Sequence, residues 1–130
     1  MLPPTHILIV EDERVVALDF ARQLRQLGYT IVGLATSGTE AIMQALMHHP
    51  DLVLMDLRLP GAVDGLEAAE FLRTHLNLPV LVVTGVTDAT ILARARQVSP
   101  TGVLCKPVAE DALAAALQEV FPRGPTARQV

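Results

Sequence analysis

Five short apolar runs alternate along the chain with five stretches in which apolar side chains recur every three or four positions. The runs are His6 to Val10, Thr30 to Ala35, Leu52 to Asp56, Pro79 to Thr84 and Thr101 to Cys105. Their length and aliphatic, partly β-branched content predict strands. The runs ending on Asp56 and Thr84 have no polar face, which suits strands covered on both sides of a parallel sheet. Between the runs the period is helical. Val16, Phe20, Leu24 and Leu27 predict a helix from about Arg14 to Leu27, stopped by Gly28. Ser37 and Glu40 have the spacing of a capping box, each satisfying the other's backbone donor, ahead of a helix that runs to about His49 and stops at Pro50. Asp64 and Glu67 repeat that signature ahead of Leu66, Ala69, Leu72 and Leu76. Ile91, Leu92, Ala95 and Val98 make only a thin stripe for a fourth helix from about Asp88 to Val98, the least firmly held of the set. Leu113, Ala116, Leu117 and Val120 mark the fifth, with Glu110 and Asp111 in its first turn, where the helix dipole favours acids. Beyond Phe121 the periodicity ends. Residues 1–121 therefore read as one domain and 122–130 as a flexible tail or linker remnant.

Strict alternation of strand and helix is the pattern of an α/β fold. Right-handed crossovers then place helices on both faces of an open, doubly wound parallel sheet. The chain has 130 residues, enough for one sizeable core, and its 51% hydrophobic but 3% aromatic composition makes that core aliphatic. A formal net charge of −4 without a cluster of Lys or Arg argues against direct binding to a nucleic-acid backbone. Neither a basic, apolar leader nor a membrane-length apolar run is present, so a cytoplasmic protein with no membrane contact is expected. With one cysteine no internal disulfide forms, and Cys105, inside an apolar run, reads as a small buried hydrophobe. His6, His48, His49 and His75 have no metal-ligand spacing and read as surface or strand-edge residues.

The chemistry collects at the strand ends. In doubly wound sheets ligands bind outside the carboxyl ends of the strands, and four strands here finish in functional groups: Glu11 and Asp12, Asp56, Thr84, and Lys106. A charge at a single strand end is ordinarily just solvated; four on one edge form a site. Carboxylates a few ångströms apart repel, and one stays protonated unless a cation intervenes. A hard divalent cation, Mg²⁺ above all, meets that demand and keeps room in its shell for water and a phosphoryl oxygen.

The ordered set Val10-Glu11-Asp12, Met55-Asp56-Leu57-Arg58-Leu59-Pro60-Gly61, Asp64-Gly65, Val83-Thr84-Gly85 and Lys106-Pro107 resembles the receiver domain of two-component response regulators, from His6 to Phe121. The resemblance implies a flavodoxin-like five-stranded sheet in the order 2-1-3-4-5. It implies that Asp56 accepts a phosphoryl group from a sensor histidine kinase or a histidine phosphotransfer protein, and that Asp12, Asp56 and the backbone carbonyl of Arg58 hold Mg²⁺, with Glu11 acting through a metal-bound water. Thr84 and Lys106 would bind phosphoryl oxygens, and the Lys106-Pro107 peptide would be cis. The product would be a switch read by a downstream protein, not an enzyme acting on other substrates.

Three features depart from the common pattern. One extra residue between Pro60 and Asp64 looks like a subset that includes receivers of antitermination proteins and some stand-alone regulators. Val103 stands where an aromatic is usual. The last helix lacks the basic residue of receivers that dimerise through charge, which argues against that route and leaves a homodimer by another route open. Rival readings fit less well. A haloacid-dehalogenase-type phosphatase needs a second Asp where Arg58 stands, and a flavodoxin-like flavin binder would not place Glu11-Asp12-Glu13 in its phosphate loop. A receiver fold that works without phosphorylation would be marked by loss of Asp12, Asp56 or Lys106, and all three are present.

Overall fold

The computed structural model describes residues 5–125 except 60, 62, 63, 86–88 and 99. Five strands, β1 (His6–Val10), β2 (Thr30–Ala35), β3 (Leu52–Asp56), β4 (Val80–Thr84) and β5 (Gly102–Cys105), alternate with five helices, α1 (Arg14–Gln26), α2 (Gly38–His48), α3 (Gly65–His75), α4 (Ala89–Gln97) and α5 (Glu110–Val120). The strands form one sheet in the order β2-β1-β3-β4-β5, and every neighbouring pair is parallel. This is the flavodoxin-like order, and it makes β1 and β3 neighbours, so the carboxyl ends that carry Glu11 and Asp56 lie side by side.

Two aliphatic layers hold the sheet. On one face Leu8, Val10, Val53, Met55 and Val82 pack against Ala41 and Ala45 of α2, Ala69 and Leu72 of α3, and Ala95 of α4. On the other, Ile7, Ile9, Leu54 and Leu81 pack against Phe20 and Leu24 of α1 and Leu113 and Leu117 of α5. Alternate residues of each central strand serve opposite layers, and β3 and β4 are buried throughout, which explains their unbroken apolar sequence.

Local chemistry sets the helix ends. Asp64 and Glu67 complete a reciprocal capping box at α3. At α2 the box is half made: Ser37 accepts from the Glu40 N–H, but the Glu40 carboxylate reaches the Thr36 N–H, at 3.0 Å, instead of that of Ser37. Its other neighbour, Gln44, donates to the Leu34 carbonyl, so an acceptor of the edge strand β2 is satisfied from within the chain.

One sequence expectation is corrected. Cys105 is exposed. As the edge strand, β5 turns Leu104 toward the α1–α5 layer, while Val103 and Cys105 face outward, where α4 does not cover them. Residues 122–125 fold back against the body. The Thr5 N–H donates to the Pro125 carbonyl at 2.7 Å and the Gly124 N–H to the Phe121 carbonyl, while Tyr29 and Phe121 bring their rings to 5.9 Å. Gly28, at φ +99°, leaves room for the Pro125 ring. Pro60, Ala62 and Val63 of the expected loop feature and Asp88 at the expected start of the fourth helix lie outside the described residues.

Candidate functional site

The carboxyl ends of β1, β3 and β5 bring three of the expected groups into contact. Lys106 Nζ donates to Glu11 Oε1 at 2.8 Å and to Asp56 Oδ2 at 3.2 Å. Glu11 and Asp56 are 2% and 5% exposed, so one lysine lies between two buried acids. Backbone donors orient both carboxylates: the Glu13 N–H donates to Glu11 Oε2 and the Arg58 N–H to Asp56 Oδ1. Asp12 is exposed at the rim, and one oxygen each from Glu11, Asp12 and Asp56 lies within 4.8 Å of the others.

Burial raises the Glu11 carboxyl to about 7, against the Lys106 and Glu13 hydrogen bonds that favour its ionised form; the Asp56 charge pushes the same way as burial. Desolvation works to lower the Lys106 pKa, but its bond to Glu11 and the charges of Asp56 and Glu11 together outweigh that and leave it raised. The ammonium therefore stays charged, yet one positive charge does not fully compensate the acids around it. A hard divalent cation fits this donor set: the ligand atoms are oxygens, they converge, and an uncompensated negative charge is already there.

Thr84 is buried at the end of β4, and its carbonyl accepts the Lys106 N–H at 2.8 Å, which ties the two expected phosphoryl-binding residues together through backbone. The Lys106-Pro107 peptide is cis, as expected. Gly65, not singled out as a site residue from sequence, stands directly behind Asp56. A Cβ there would lie 2.5 Å from the Asp56 carbonyl oxygen and 2.6 Å from Leu57 Cα, so α3 can start this close to the acid only without a side chain. The signal in the sequence was the Asp64-Gly65 pair, but its spacing speaks of a helix cap and not of the distance to β3.

A sequence profile described as the response regulator receiver domain matches residues 7–118. The chain belongs to that family. Among relatives of this receiver domain, the transcriptional regulatory protein PdtaR of Mycobacterium tuberculosis is 39% identical over 80% of the chain and 50% of its own length. The positive alginate biosynthesis regulatory protein of Pseudomonas aeruginosa is 38% identical over 88% of the chain and 46% of its own length. The chain thus spans about half the length of these curated relatives. Among solved structures, the signal receiver domain of a modulated diguanylate cyclase from Desulfovibrio desulfuricans G20 superposes with a TM-score of 0.86 at 38% identity, covering 93% of this chain and 96% of that one. The chemotaxis protein CheY4 of Vibrio cholerae superposes at 0.81 with 25% identity, covering 92% and 100%. Receiver domains of this family are signalling modules of two-component systems that bind Mg²⁺ at such an acidic cluster. No helix among the described residues is long and apolar enough to cross a membrane.

Proposed function

We propose that this receiver acts as a phosphorylatable switch, accepting a phosphoryl group on Asp56 from a histidine kinase or a histidine phosphotransfer protein and signalling by protein–protein contact in the cytoplasm. The observation that carries this reading is the bridge from Lys106 Nζ to Glu11 and Asp56 at the open edge of the sheet. An Asp56 carboxylate oxygen attacks phosphorus, the P–N bond of the donor phosphohistidine breaks, and the imidazole leaves with the bonding electron pair. Transfer places three more oxygens and roughly −1.5 to −2 charge beside Glu11 and Asp12. Lys106 is already within reach and can move from the acids to a phosphoryl oxygen, and the Thr84 hydroxyl is the matching donor from β4. Asp12, Asp56 and the Arg58 carbonyl are the residues that would hold Mg²⁺, with Glu11 behind a coordinated water. The cation, when bound, supplies neutralisation of the charge that develops in transfer. The formal charge of −4 supports a protein, and not a nucleic-acid backbone, as the immediate target of this domain.

Mass spectrometry after incubation with acetyl phosphate tests this directly. One acid-labile phosphoryl group should appear on the wild type with Mg²⁺, and none with EDTA or in Asp56→Asn. Equal labelling of wild type and variant would place the acceptor elsewhere. No labelling under any condition, alongside a normal fold, would favour a receiver that works without phosphorylation.

A further inference from the structure

A cavity of about 540 Å³ separates α3 from α4. Both helices lie on one face of the sheet, where Ala69 and Leu72 of α3 and Ala95 of α4 share an apolar layer. Among the described residues Leu66 and Val98 give the cavity its apolar lining, and four charged side chains stand at its walls: Glu67, Glu70 and Arg73 from α3, and Arg94 from α4. Two of the four are committed elsewhere. The Glu67 carboxylate accepts the Asp64 N–H in the capping box, and Arg73 donates to the Leu78 carbonyl at 3.1 Å. The Glu70 carboxylate and the Arg94 guanidinium make no ion pair or hydrogen bond with any described residue. They are opposite in charge, one stands on each wall, and each is the sixth residue of its helix. The two helices run the same way, because each returns from the end of one parallel strand to the start of the next.

The sheet sets the direction in which α4 is drawn. Val83 of β4 is the register partner of Asp56 of β3, so Thr84 approaches a group on Asp56 by moving toward β3. The helix α3 crosses from β3 to β4 and α4 from β4 to β5, so the β3 side of α4 is the side of the cavity. We infer that the α3–α4 cavity is an open latch: with Asp56 phosphorylated, α4 moves toward α3 and Arg94 pairs with Glu70 across the narrowed gap. This rests on the reading of Asp56 as the phosphoryl acceptor. Closing also takes Val98, half-buried in the open form, further from water. A partly exposed ion pair contributes little, so the latch shifts the balance of open and closed forms by about threefold; it tunes the switch and does not drive it. A contact made only in the closed form strengthens binding of whatever favours that form by the same factor.

Titration of the full chain with beryllofluoride in the presence of Mg²⁺, followed by fluorine NMR, tests this. Glu70→Gln and Arg94→Gln should each weaken the apparent affinity about threefold, and the double variant should lose no more than either single one. Exchange of the charges, Glu70→Arg with Arg94→Glu, should restore wild-type affinity. A pair of spin labels reads the movement itself and leaves the latch residues in place. In a Cys105→Ser background, labels on Thr74→Cys and Gln97→Cys, one on each wall of the cavity, should show stronger dipolar broadening with beryllofluoride and Mg²⁺ than without. Single variants that bind like wild type, losses that add in the double variant, an exchange that restores nothing, or labels that keep or increase their separation would overturn the latch and leave Asp56 as the acceptor. A wild type that binds no beryllofluoride would overturn both.

Discussion

Lys106 joins two acids that would otherwise face each other across a gap with little water, at 2.8 Å from Glu11 and 3.2 Å from Asp56. Replacing it by Met should therefore lower stability in chelated buffer, by about 2 kcal/mol. The loss stays that small because Glu11, held near 7 by burial, can take up a proton when its partner is gone. Added Mg²⁺ should return part of it. Urea melts with and without the cation check both statements, and a variant as stable as wild type in EDTA would show that the bridge carries no weight. Two glycines near the site should behave oppositely. A Cβ at Gly65 would collide with the backbone of Asp56 and Leu57, whereas one at Gly85 would meet Lys106 side-chain carbons at 3.7 and 3.8 Å, an ordinary contact. Gly65→Ala should cost about 1–3 kcal/mol and slow phosphoryl uptake, and Gly85→Ala should stay within about 0.5 kcal/mol of wild type. The acids and the lysine were legible in sequence because a strand-end position in a doubly wound sheet fixes where a side chain goes. The constraint at Gly65 was not, because it is set by the approach of α3 to the end of β3, a distance that no local pattern encodes.

At the level of elements, the described side chains of α4 bury little: Ala95 lies in the core, and Val98, just past the helix end, packs at the edge of the same layer, while Ile91 of the thin stripe read from sequence lies outside the described side chains. The amino end of α4 follows β4, whose last residue is Thr84, so a displacement of Thr84 toward a phosphoryl group would reach α4 first. Val103, small and branched, has no ring to swing in concert with it. Beryllofluoride with Mg²⁺ should therefore alter amide hydrogen exchange more across residues 89–98 than in α2. Changes confined to α1 or α2 would point to another output face. The neighbouring edge strand supplies a simpler check. Exposed Cys105 should react fully with a thiol reagent in the native protein, and a thiol that labels only after denaturation would contradict its outward orientation. Its misreading from sequence has a physical cause: an apolar run marks a strand, but whether both faces of that strand are covered depends on the reach of a helix elsewhere in the chain.

For the molecule as a whole, the alternation of apolar periods was enough to give the α/β architecture, because each period admits one kind of element and the crossovers have one hand. The strand order came from the resemblance and not from periodicity. Pro-Arg-Gly-Pro after Phe121 has the composition of a linker, yet Pro125 is tied to Thr5 and seated over Gly28. A chain ending at Phe121 should consequently be less stable than one ending at Pro125, by about 1–2 kcal/mol for a lost backbone hydrogen bond and buried ring; identical melting of the two would show the contact to be incidental. That contact also divides the molecule into two poles. Thr5 stands at the entry to β1, and Glu11 and Asp56 stand at the carboxyl ends of β1 and β3, a strand length of roughly 17 Å away. A dye, bead or surface coupled just beyond Pro125 would consequently sit at the pole remote from the acids. The protein could be anchored there and still meet a phosphoryl donor arriving from solution unobstructed.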